Sequence, residues 1–207
     1  MIKNDAYTLT PECTILWPAL FEPESFNGSE EKYRCVLLFK ADADFTNIKT
    51  AIAAAREKKF PGKDREFYQT LRYPLRKGDE KAVDKNGKPD PESLFFGRIY
   101  LSAKSGLQPQ IVDRSNQPIT DPKILYGGCK VVALLSFYGY EYLGNRGVSC
   151  SLRAVMKIAD GDPIGGGKVD TGKVFADYIE VVGPSAMLKN AQSKADPGAF
   201  ELDDITY

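Results

Sequence analysis

Two stretches of this chain alternate aromatic and cationic side chains with small polar ones. In FFGRIYLSAK, the side chains of Phe96, Arg98, Tyr100, Ser102 and Lys104 share one parity, and Ile99, Leu101 and Ala103 share the other. An extended strand would send the second set into a core and leave the first set facing outward. In SFYGYEYLGNRG, Tyr138, Tyr140 and Tyr142 share a parity, Gly139 permits a bulge or a close approach, and Arg146 follows in a turn. Flat rings beside cations stack planar bases and neutralise phosphates, which suits an unpaired nucleic-acid strand. Each stacked base contributes roughly 1–3 kcal/mol whatever its identity. Two of the three tyrosines are expected to touch ligand. The competing reading is that Phe96 and Tyr100 cover a second small core, and that some tyrosines only satisfy their hydroxyls at its rim.

A third stretch adds charge. Residues 56–88 hold eleven bases against six acids, a net of +5, with Phe60, Phe67, Tyr68 and Tyr73 among them. YQTLRYPLRKGDEK brings Arg72, Tyr73, Arg76 and Lys77 together. A basic, aromatic-bearing loop is what a protein needs to follow a phosphodiester backbone, although such a loop can also be merely well solvated. Arg34 stands with Lys32 and Lys40 on the outer side of KYRCVLLFK. The candidate ligand-contacting residues are therefore Arg34, Arg72, Tyr73, Lys77, Arg98, Tyr100, Lys104, Tyr138, Tyr140, Tyr142 and Arg146.

Other chemistries find little support. The chain has no histidine, which removes Ser-His-Asp and Cys-His catalysis and the commonest general base. Cys13, Cys35, Cys129 and Cys150 form no CxxC pair and lie in strand-like stretches, so they read as reduced, space-filling thiols. GDPIGGGK imitates a phosphate loop, but five residues separate Gly161 from the final Gly-Lys, and Val169 follows Lys168 where Ser or Thr is required. No metal and no cofactor is expected.

These residues need a frame. The dominant period is two, over TLTPECTILWPALF, KYRCVLLFK, FFGRIYLSAKS, a short PQIVDR, CKVVALLSFYGYEY and RGVSCSLRAVMKIA. One segment changes period: Phe45, Ile48, Ile52 and Ala55 recur at helical steps behind Asp42 or Asp44 as a cap. A helical turn is also expected around VFADYI. Five principal strands with one helix predict a mainly β fold, a five-stranded OB-like barrel with the helix between strands two and three, since closure removes exposed edges. A β-sandwich is the alternative. Residues 1–182 are expected to form one domain with an insertion at about 60–94, and residues 183–207 a flexible linker and acidic tail.

The charge distribution supports that division. Bases and acids balance at 28 each, yet residues 195–207 carry four acids and no base. Residues 1–194 thus hold 28 bases against 24 acids, a net of +4. A segregated acidic end reads as a self-masking or partner-recruiting segment, or as a solubilising terminus. No apolar run is long enough to span a bilayer and the N-terminus has no signal-peptide pattern, so a cytoplasmic protein with no membrane partner is expected.

FYGYEYLGNRGVSCSLRAVMKIADGDPIGGG, together with LWPALFEPESFNGSEEKYRCVLLF, LRYPLRKGDE and LYGGCKV, resembles a family of bacteriophage single-stranded DNA-binding proteins with an OB fold. The resemblance covers roughly residues 10–170. It implies binding of single-stranded DNA in phage replication and recombination, and kinship with the replication-associated binding proteins of lytic podophages. In those proteins an acidic tail ending in an aromatic residue contacts the replication machinery; Asp203, Asp204 and Tyr207 match that pattern in kind. The implied partners are single-stranded DNA and phage replication or recombination proteins through the tail; a homodimer is left open by the sequence. Two alternatives stand beside this reading: a virion β-barrel protein, and a metal-dependent nuclease using Asp160 and Asp162.

Overall fold

The structure is a computed structural model that describes residues 7–25, 28 and 30–164, all within one compact unit, Met1–Gly165. Its elements, in chain order, are β1 (Thr8–Leu9), β2 (Cys13–Glu24), β3 (Lys32–Lys40), α1 (Thr46–Lys59), α2 (Arg65–Gln69), β4 (Leu75–Lys77), β5 (Arg98–Ser105), β6 (Gln110–Val112), β7 (Lys130–Tyr142) and β8 (Asn145–Ala159). Five of these close a ring. Antiparallel ladders join β2 to β3, β3 to β5, β7 to β8, and β7 back to β2, while β5 meets β8 in parallel at Lys104↔Ser151. This is the expected five-stranded barrel, and α1 lies between its second and third strands. The sandwich alternative falls away.

Alternation fills the barrel. Cys35, Leu37 and Phe39 of β3, Leu101 and Ala103 of β5, Val131, Ala133 and Leu135 of β7, and Cys150 and Leu152 of β8 share one core with Ile48, Ile52 and Ala55 of α1. Neither Asp42 nor Asp44 is the cap of the helix: Phe45 takes that position with no side-chain cap bond, and Asp44, one residue before it, accepts from the Thr46 N–H (2.8 Å). Arg56, Lys58 and Lys59 occupy its last turn, where cations complement the helix dipole. Gly139 serves the close approach: a Cβ there would collide with the Lys59 side chain and lie 3.2 Å from the Ala55 carbonyl oxygen, so only glycine lets α1 lie on β7. All four cysteines are free and buried. Burial pushes the Cys13 and Cys150 thiols up to about 12, so they stay protonated and inert.

The segment 60–94 is more structured than its composition implies. It contains α2, β4 paired to β5, and a 3₁₀ turn at Gly78–Glu80. Asp64 caps α2 by accepting from the Phe67 N–H (2.8 Å). The segment also closes a second, smaller core of Leu16, Leu38, Ala82, Phe95 and Tyr100 on the outside of the barrel. Tyr100 is thus only 4% exposed. The expectation that it stands as an open ring on the face of β5 is corrected: the covering loop supplies apolar partners that strand alternation alone cannot reveal.

Candidate nucleic-acid interface

A groove of about 1050 Å³ runs across the outer face of β5, β7 and β8, under the stem of the loop. β5 contributes Tyr100, Ser102 and Lys104, β8 contributes Ser149 and Ser151, and the end of β7 contributes Tyr138, Tyr140 and Tyr142. The loop adds Arg72, Tyr73, Arg76 and Lys81, and β3 adds Lys32. Among the described residues, five cations and five tyrosines therefore line one trough, and no carboxylate does. Tyr138 and Tyr142 are 48% and 72% exposed, whereas Tyr100 forms part of the floor, edge-on to Phe95 (5.3 Å between ring centres).

Backbone geometry holds the basic loop against the tyrosine hairpin. The Arg72 N–H donates to the Arg146 carbonyl (3.1 Å), and the Val148 N–H donates to the Arg72 carbonyl (2.8 Å). Gly147 sits between these bonds, and a Cβ there would strike the backbone of Arg72. The hairpin itself turns through Leu143 and Gly144, both at positive φ, in the two-residue form that matches strand twist. Tyr73 is fixed from behind, its O–H donating to the Tyr68 carbonyl (2.9 Å). Tyr68 in turn donates to Glu57 (2.7 Å), and that bond holds the Glu57 carboxyl below the usual range.

Of the eleven candidates, Arg72, Tyr73, Tyr100, Lys104, Tyr138, Tyr140 and Tyr142 converge on this groove. Four do not line it. Arg98 stands six residues from Lys104, about 20 Å along a strand, and lines a separate depression with Phe96 and Lys130. Lys77 shares the parity of Leu75, which packs against the barrel core, and so alternates away from Arg76. Arg34 bonds Glu24 (2.6 Å) in a neighbouring trough. Arg146 lays its guanidinium 4.4 Å from the centre of the Phe67 ring, and only its carbonyl takes part in holding the loop, by accepting from the Arg72 N–H. Asp203, Asp204, Tyr207 and the VFADYI turn lie outside the described residues.

Lys81 was not among the candidates. Its ammonium lies 4.5 Å from the Tyr100 ring centre and 5.2 Å from that of Phe95. It sits in a polar run, and nothing in its spacing marks it. Asp160, a carboxylate of the nuclease alternative, is held by Lys157 (2.7 Å) and Tyr126 (3.2 Å), and the Lys157 bond keeps it below the usual range. Among the described residues, no three Cys, Asp or Glu side chains converge to hold a metal ion. No helix among them is long and apolar enough to cross a membrane.

Comparison with known proteins places this architecture. The family model described as Enterobacter phage Enc34, ssDNA-binding protein matches residues 8–183. Protein p50 of the Acyrthosiphon pisum secondary endosymbiont phage 1 is 36% identical over 173 residues, covering 79% of this chain and 89% of that protein. The single-stranded DNA-binding protein of bacteriophage Enc34, solved in complex with ssDNA, superposes with a TM-score of 0.58 at 23% identity, over 77% of this chain and 90% of that one. The gp2.5 single-stranded DNA-binding protein of bacteriophage T7 superposes with a TM-score of 0.54 at 16% identity, over 86% and 96%. At those identities the two structures speak for the fold, while the family match and the p50 relative fix the kinship: the chain belongs to the Enc34 phage ssDNA-binding protein family.

Proposed function

We propose that this chain binds and protects single-stranded DNA, without reading its sequence, during phage DNA replication and recombination in the cytoplasm of the bacterial host. It acts by binding and not by catalysis. The observation that carries this reading is the lining of the groove, where five cations and five tyrosines stand together and, among the described residues, no carboxylate does. Such a lining attracts phosphates along its whole length and offers π-faces that any base can stack on. The Enc34 relative bound to ssDNA supports the same reading. The virion and nuclease alternatives leave the lining unexplained.

Residues 1–182 act as the DNA-binding domain and residues 183–207 as linker and tail. The acids of the tail, Asp203 and Asp204 among them, compete with DNA phosphates for the groove. With Tyr207, they are handed to a replication or recombination protein once DNA displaces them. Titration of a labelled oligo-dT and of a duplex of equal length tests the main reading: tight binding of the single strand alone is expected, and equal affinity for both overturns it. Deleting residues 196–207 should raise single-strand affinity at low salt, with the gain shrinking as salt screens the competition. Unchanged affinity at every ionic strength would leave the tail a solubilising terminus. Light scattering of the free protein decides between monomer and homodimer.

A further inference from the structure

Trp17 occupies an unusual place in β2. Before it, Cys13 and Ile15 point into the barrel; after it, Leu20 does, so the inward parity has switched. The switch occurs at a bulge: β2 advances three residues from Leu16 to Ala19 while β3 advances two, from Val36 to Arg34. Trp17 adopts φ +45 there, a left-handed conformation that such bulges normally give to glycine, and Pro18 follows it. A bulky side chain held in that region carries backbone strain. The result is a tryptophan 51% exposed on the outside of the barrel, its ring 6.0 Å from Phe95. A buried tryptophan would have contributed to the core; this one is turned outward at a cost.

The place it is turned toward has a ligand chemistry. Trp17 lines a second trough of about 710 Å³ with Val36 and with the cations Arg34 and Lys81. Among the described residues Glu24 is the one carboxylate in its lining, and Arg34 pairs with it (2.6 Å). Lys81, Ser102 and Lys104 line both this trough and the main groove, so the two adjoin at β5. We propose that the bound single strand continues from the tyrosine groove over Lys81 and stacks a base on Trp17, making the second trough the far end of the DNA path. This deepens the reading of the groove and rests on it. Lys81 holds the phosphate between the two stacking stations.

Trp17 is the chain's one tryptophan, so indole emission reports this station alone. The full chain is titrated with oligo-dT of increasing length, following indole emission in parallel with the anisotropy of a labelled oligo. Oligos long enough to span both troughs are expected to quench the indole, and short ones to bind without doing so. Trp17→Gly, which tolerates positive φ, should bind long oligos roughly tenfold more weakly and short ones like wild type. Long oligos that bind wild type with unquenched emission, or a Trp17→Gly protein that binds them undiminished, would overturn the Trp17 station and leave the groove standing. Failure of every oligo to bind would overturn both.

Discussion

Parity alone does not say what a side chain can do, and the tyrosines show this. Tyr138 and Tyr142 project from the end of β7 with much of their rings open, so each can stack a base without supporting the core. Tyr138→Ala and Tyr142→Ala should each weaken single-strand affinity by about 1–3 kcal/mol, read by anisotropy, with an unchanged melting temperature. Tyr100 has the opposite character. Buried against Phe95, Leu16 and Leu38, it resembles a core aromatic whose truncation costs roughly 3–5 kcal/mol, so Tyr100→Ala should shift the denaturant midpoint far more than any groove tyrosine does. Charge divides in the same way. Lys104→Ala should lower the salt slope of binding by about 0.7, whereas Arg98→Ala, outside the groove, should leave it unchanged.

At the scale of elements, the sequence made the barrel legible because its strands are half-buried and their period is two. KYRCVLLFK is strand throughout, and Ile48, Ile52 and Ala55 mark the buried side of the helix. What stayed hidden depended on contacts between distant segments. The loop 60–94 reads as polar and basic, yet its Ala82 joins Phe95 in covering β5, and this alone changes the character of Tyr100. The bulge at Trp17 likewise arises from the pairing of β2 with β3, although a proline inside a strand hints at it. The junction of loop and hairpin is testable. Gly147→Ala would force its Cβ against the Arg72 backbone, and overpacking of that kind costs typically 1–3 kcal/mol. Both the thermal stability and the single-strand affinity of this variant should fall, because the same contact holds the loop's cations over the tyrosines.

At the scale of the whole molecule, a chain of zero net charge is asked to bind a polyanion. Its charge is segregated: residues 1–194 carry +4, five cations line the groove among the described residues, and four acids with no base lie beyond residue 194. Net charge therefore says little here, and the local lining says most. Counterion release makes that statement quantitative, since each phosphate neutralised on a single strand contributes about −0.7 to the slope of log K against log salt. The most direct test is that slope for oligo-dT, compared between wild type and the triple variant Arg72→Ala, Arg76→Ala, Lys104→Ala. Engagement of all five groove cations predicts a wild-type slope of about −3.5, becoming shallower by about 2 in the triple variant. A triple variant that stays folded and keeps the wild-type slope would show that the strand lies elsewhere on the protein.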